Sequence, residues 1–103
     1  MKMPKEDWTD EELRAAVGAY LAMQKDAREG RPVVKRHVYE ELSNTFGRSV
    51  KSFEFRMQNI SFVLSSMGRS WIDGLKPAKH VGANVGEKIE KMIADLERAA
   101  AEK

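Results

Sequence analysis

Four residues near the middle of the chain, Arg48, Ser49, Lys51 and Ser52, form a set suited to holding an anion. They stand in "GRSVKS", directly after a glycine and directly before a long, largely apolar run. A serine at such a boundary caps a helix, and the uncapped amides beside it favour phosphate. Lys and Arg neutralise phosphates, and Arg also matches guanine through two parallel hydrogen bonds. Arg56 and Asn59 lie on another side of the same segment, where Asn59 equally suits a buried backbone group. Arg69, Lys76, Lys79 and His80 make a second basic cluster, fit either to grip a phosphate backbone or to keep a loop solvated.

Other chemistry finds little to work with. His37 and His80 are the only histidines and there is no cysteine, so neither a zinc site nor an HNH centre can be assembled. Glu54 and Asp73 are isolated acids that read as cap or surface charges, and there is no Gly-rich phosphate loop. We therefore expect no enzyme, no metal and no cofactor.

The elements that must position the basic residues are legible as helices. In "WTDEEL", Thr9 and Glu12 have capping-box spacing, Trp8 and Leu13 are placed as a hydrophobic staple, and Asp10, Glu11 and Glu12 suit a helix amino end. A first helix over about residues 10–28 follows, closed by Gly30 and Pro32. Val34, Val38, Leu42 and Phe46 give the stripe of a second helix over about 35–45, with Lys35, Arg36, Tyr39 and Glu40 towards other faces, and Gly47 closes it. A third helix, about 50–67, starts at Ser49 as N-cap and stops at Gly68.

That third helix carries two apolar stripes. Phe53, Met57, Ile60, Leu64 and Met67 form one, while Phe55 and Phe62 form another nearly opposite. Two stripes predict either a central helix, its first side on helices 1 and 2 and its second under the following loop and helix 4, or a helix that shows the Phe55–Phe62 stripe to a partner. Residues 69–83 read as an ordered loop that Trp71, Ile72 and Leu75 pin to the core. Asn84 and Glu87 repeat the capping-box spacing, so a fourth helix is expected over about 85–100 with the stripe Val85, Ile89, Met92, Ile93 and Leu96.

The expected fold is all-α: one compact four-helix domain over 1–103, in which the second and third helices form a helix-turn-helix-like pair. In that motif the second helix enters the major groove amino end first.

Composition agrees with a folded domain: 42% hydrophobic and 33% charged residues. No apolar run reaches the roughly 18 residues that span a bilayer, and the amino terminus turns acidic where a signal peptide needs its apolar segment. A cytoplasmic, membrane-free protein is expected. Net charge is only +2, but residues 31–84 hold 9 basic and 4 acidic side chains, between flanks with slightly more acid than base. A local excess of one sign points to an anionic partner or to a solvated surface.

The run "GRSVKSFEFRMQNISFVLSSMG" followed by "WIDGLKP" resembles a recurring bacterial amino-terminal module found ahead of HNH nucleases and other restriction-type domains. The matching positions are Gly47, Arg48, Ser49, Phe53, Glu54, Arg56, Gln58, Asn59, Ile60, Ser61, Val63, Leu64, Gly68, Ile72, Gly74, Lys76 and Pro77. Gln-Asn-Ile-Ser is the most specific part, and the opening "WTDEELRAAVGAYLAM" matches the way such modules begin. The resemblance implies a restriction or defence setting, a part in handling DNA rather than chemistry, and a nuclease or other restriction-type domain or subunit as partner. The sequence departs from the pattern in having one further helix and no nuclease, as a fragment or a stand-alone copy would. A weaker likeness to Myb/SANT repeats rests on Trp8-Thr9 with its acids, Gly47-Arg48 and Arg56, without the regular tryptophan series.

The sequence thus yields two readings. In the first, duplex DNA is bound through Arg48, Ser49, Lys51, Ser52, Arg56, Arg69, Lys76 and Lys79. In the second, the chain is a protein–protein adaptor or a homodimer paired through the stripe of its last helix.

Overall fold

The computed structural model describes residues 7–102, so the two ends of the expected 1–103 span lie outside the described residues. The capping box forms as its spacing requires. Thr9 Oγ1 accepts the Glu12 amide at 3.1 Å, and Glu12 Oε1 accepts the Thr9 amide at 3.0 Å. From it runs α1, Asp10–Arg28, which ends where the Gly30 and Arg31 amides return to the carbonyls of Ala27 and Asp26.

Helix α2, Lys35–Phe46, has no side-chain cap, since its N-cap is Val34. Gly47 ends it in the left-handed region with φ 82°, a conformation open to glycine at little steric cost. Arg48 and Ser49 complete a three-residue turn, and Ser49 caps α3, Val50–Ser66, by accepting the Ser52 amide at 3.1 Å. Helix α4 spans Ala83–Ala101, and here the expected cap is corrected: Gly82, with φ 80°, is the N-cap, and no side chain caps the helix. Gly82 turns the chain into the helix early enough that Asn84 already lies inside it, past the position from which an N-cap acts.

Among the described residues the fold is therefore all-α, with four helices and a helix-turn-helix-like α2–α3 pair. Its radius of gyration is 13.4 Å, close to the roughly 13 Å of a compact chain of about 100 residues. Helices α1 and α3 each pack on all three others. Phe53, Met57, Ile60 and Leu64 of α3 meet Leu13, Val17 and Tyr20 of α1 and Ile89 and Ile93 of α4 in one continuous buried core. The apolar stripe of α4 lies within this core, with Ile89, Met92 and Ile93 buried and Val85 and Leu96 packed beside them. It closes the bundle and is not exposed for pairing with a twin. None of the described helices is long and apolar enough to cross a membrane.

Three side chains sit otherwise than periodicity predicts. Tyr39 is buried beside Leu42, so the inward face of α2 is rotated towards it, away from Val34. Burial, then the nearby Glu54 charge, then Tyr20, push its hydroxyl pKa up to about 12. Trp71 stays 43% exposed while Ile72 and Leu75 do the pinning. Phe55 is 46% exposed: the loop crosses α3 one turn beyond it, and the start of α4 reaches only to Phe62.

The loop is drawn inwards by a buried polar link. Tyr20 Oη accepts the Ile72 amide at 2.9 Å and lies 2.7 Å from Ser61 Oγ. Burial raises the Tyr20 pKa, against the opposing effect of these two hydrogen bonds. Tyr20→Phe leaves the Ile72 amide and the Ser61 hydroxyl without this partner and should cost about 1–3 kcal/mol in urea unfolding. Leu64→Ala should cost about 2–5 kcal/mol in the same measurement. An unchanged unfolding midpoint for Leu64→Ala would refute the inward orientation of this stripe.

Candidate nucleic-acid interface

The turn between α2 and α3 is built around a buried ion pair. Arg48 is 7% exposed and Glu12 4% exposed. Arg48 Nε lies 3.1 Å from Glu12 Oε2, and Nη2 donates to Glu12 Oε1 at 3.1 Å and to the Asp7 carbonyl at 2.7 Å. The guanidinium also stands 4.4 Å from the centre of the Trp8 ring. This overturns the placing of Arg48 among the phosphate ligands. A guanidinium already matched to a carboxylate and covered by an indole has no face left for DNA.

Two further arginines are similarly engaged. Arg56 is half-buried, 4.6 Å from the Trp8 ring centre, and donates to Asn59 Oδ1 at 3.1 Å. Burial, then the Arg48 charge, lower its pKa. Arg69 sits at the far end of α3 and grips both carboxylate oxygens of Glu97 on α4. Arg56, expected on another side of α3, and Arg69, expected in the loop cluster, are thus both held by contacts within the fold. Trp8, rather than stapling α1 alone, meets Phe53 edge-on at 5.0 Å and serves as platform for both guanidiniums. Residues 8, 48 and 56 are too far apart in sequence for spacing to reveal this.

The other five candidates are at or near the surface. Ser49 and Lys51 are exposed and Ser52 is half-buried, all in the capped first turn of α3. The Ser49 and Ser52 hydroxyls are 2.9 Å apart. Lys76 and Lys79 are exposed on the loop, which α3 itself holds in place. Gln58 Nε2 donates to the Lys76 carbonyl at 3.2 Å, Asn59 Nδ2 to the Ala78 carbonyl at 2.7 Å, and the Ala78 amide returns to the Gln58 carbonyl at 3.0 Å. Gln58 lies about 10 Å along the helix axis from Lys51, so two clusters distant in sequence become parts of one side of α3. Among the described residues, none of Lys51, Lys76 and Lys79 has an acidic partner.

The surface changes character beyond Gln58. A groove of about 540 Å³ opens there, lined by Phe62, Val63 and Met67 on one side and Gly86, Glu87 and Glu90 on the other. Lys79 lines this groove together with Glu87 and Glu90, so its charge is set among acids, while Lys51 and Lys76 lie outside that lining, at the amino-terminal half of α3 and the adjoining loop. Among the described residues, no group of three or more His, Asp or Glu converges as a metal site would need.

The class this architecture defines is a four-helix chain with a helix-turn-helix-like pair bearing a lysine-rich side. Comparisons with family models, curated proteins and solved structures find no match to the chain.

Arg48→Ala should leave the Glu12 carboxylate buried without its partner and destabilise the fold by about 3–5 kcal/mol in denaturant unfolding. Burial alone would raise the Glu12 pKa, but hydrogen bonds from Arg48 and Thr9 and the Arg48 charge bring it below its ordinary 4.5. Stability from this group is therefore complete above that pH and is lost as pH falls through the lower folded value. Glu12→Gln should flatten the acid limb of a stability–pH profile. A limb as steep as the parent's would show that other carboxylates produce it.

Proposed function

We propose that the protein is a DNA-binding or targeting module of a restriction or defence-type system, which lays the first turns of α3 on duplex DNA. The observation that carries this reading is that the loop bearing Lys76 is held on α3 on the side of Lys51, at the capped mouth of the helix, with no acidic partner for either lysine among the described residues and with Lys79 following at the edge of the Phe62 groove. Lysines so placed act as point charges on phosphates. The Ser49 and Ser52 hydroxyls and the amides of the first turn add hydrogen-bond partners for phosphate oxygens or base edges. The restriction or defence setting, with a nuclease or similar domain as partner, rests alone on the resemblance, which covers most of residues 8–81.

The alternative is a protein–protein adaptor. Trp71, exposed beside a cleft of about 460 Å³ that Val33, Ala27 and Arg28 also line, favours that reading, since aromatic side chains concentrate at interfaces.

Fluorescence anisotropy of a labelled duplex, titrated at low and moderate salt, separates the two. Binding should fall steeply with salt for the parent. Lys51→Ala combined with Lys76→Ala should reduce the slope of log K against log salt by roughly 2, at about 0.9 per phosphate contact, while leaving the unfolding midpoint unchanged. A double variant that binds as the parent does refutes this site. No binding at low salt favours the adaptor.

A further inference from the structure

Phe55 is the large apolar side chain that packing leaves unexplained. It stands 46% exposed in the second turn of α3. A lone exposed apolar residue is ordinary on a protein surface, but this one has particular neighbours. Lys51 is one turn before it on the same face, and Gln58 and Asn59 one turn after it hold the backbone that bears Lys76 and Lys79. The ring thus lies between Lys51 and the loop that bears Lys76, with Glu54 turned aside towards Tyr39 and α2, and the complement of this pair of cations is a polyanion with an apolar group between its charges.

We infer that Phe55 reads the C5-methyl group of thymine in the major groove of the DNA bound by α3. This rests on the duplex-binding reading above. A helix fills a major groove about 12 Å wide with its side chains towards the base edges. Bases stacked in a duplex offer a phenyl ring no face, only those edges. Apart from C–H positions such as cytosine C5–H, the groups on them are hydrogen-bond donors or acceptors, and the thymine methyl is the one apolar group that projects into the groove. The flanking lysines fix the helix on the phosphates either side. Contact ends before Phe62, whose groove carries Glu87 and Glu90.

Replacing thymine with uracil removes this methyl and nothing else. Anisotropy titrations would compare an alternating d(A-T) duplex with its d(A-U) counterpart, for the parent and for Phe55→Ala. The parent should bind the thymine duplex about fourfold more tightly for each methyl it covers. Phe55→Ala should bind both duplexes equally, at the parent's uracil affinity, with an unchanged unfolding midpoint. Equal binding of both duplexes by the parent, or a thymine preference that survives in Phe55→Ala, overturns the methyl contact while the DNA reading stands. Stronger binding to single strands, without a thymine preference, overturns it in favour of base stacking. No binding to any of these at low salt overturns the DNA reading itself, and this inference with it.

Discussion

One carboxylate holds two parts of the fold in register. Glu12 caps α1 through the Thr9 amide and at the same time receives Arg48 from the turn between α2 and α3. The same buried group therefore sets where α1 begins and where α3 begins. A pair of this kind contributes little net stability, because desolvation offsets much of its attraction. Its effect here is positional: other arrangements of α1 against the turn would leave a buried charge unmatched. Trp8 completes the junction, with Phe53 at its edge and two guanidiniums against its ring. The mouth of α3, with Ser49 and Lys51, is fixed by this junction.

The second constraint is how the loop before α4 is held. It has few regular backbone hydrogen bonds of its own, and α1 and α3 supply what it lacks. Half-buried Gln58 and fully buried Asn59 bind its carbonyls from α3, and Tyr20, next to Ser61, binds an amide from α1. Ile60 fills the core between them. Each residue of Gln-Asn-Ile-Ser thus has an architectural task in seating the loop. Of Lys51, Lys76 and Lys79, which have no acidic partner among the described residues, only Lys76 is one of the matching positions of the resemblance.

What the sequence disclosed was local. The Thr9–Glu12 box, the Ser49 cap, the break at Gly47 and the Phe53–Leu64 stripe are signals carried within one or two helical turns, and each forms as its spacing requires. What it concealed was long-range. Arg48 meets its carboxylate 36 positions away and Arg69 meets Glu97 28 positions away, separations to which charge counts and periodicity are blind. The exposure of Phe55 was hidden for a related reason. Periodicity identifies an apolar side of a helix but not the element that covers it, and here the covering loop lands one turn further on. At α4 the reading failed through glycine. Its freedom at Gly82 lets a helix begin without the side-chain cap that Asn84 seemed to offer.

The pairing of the arginines bears directly on how this surface would discriminate between bases. Of the 9 basic residues in 31–84, Arg31, Arg36, Arg48 and Arg69 are all matched to acids, and Arg56 is turned towards Trp8 and Asn59. The two-pronged reading of guanine that an arginine at the mouth of α3 would give is therefore not on offer from Arg48 or Arg56. The lysines that remain position a helix on phosphates without distinguishing sequences. On the DNA reading, any discrimination by α3 falls to short hydroxyls and to one phenyl ring.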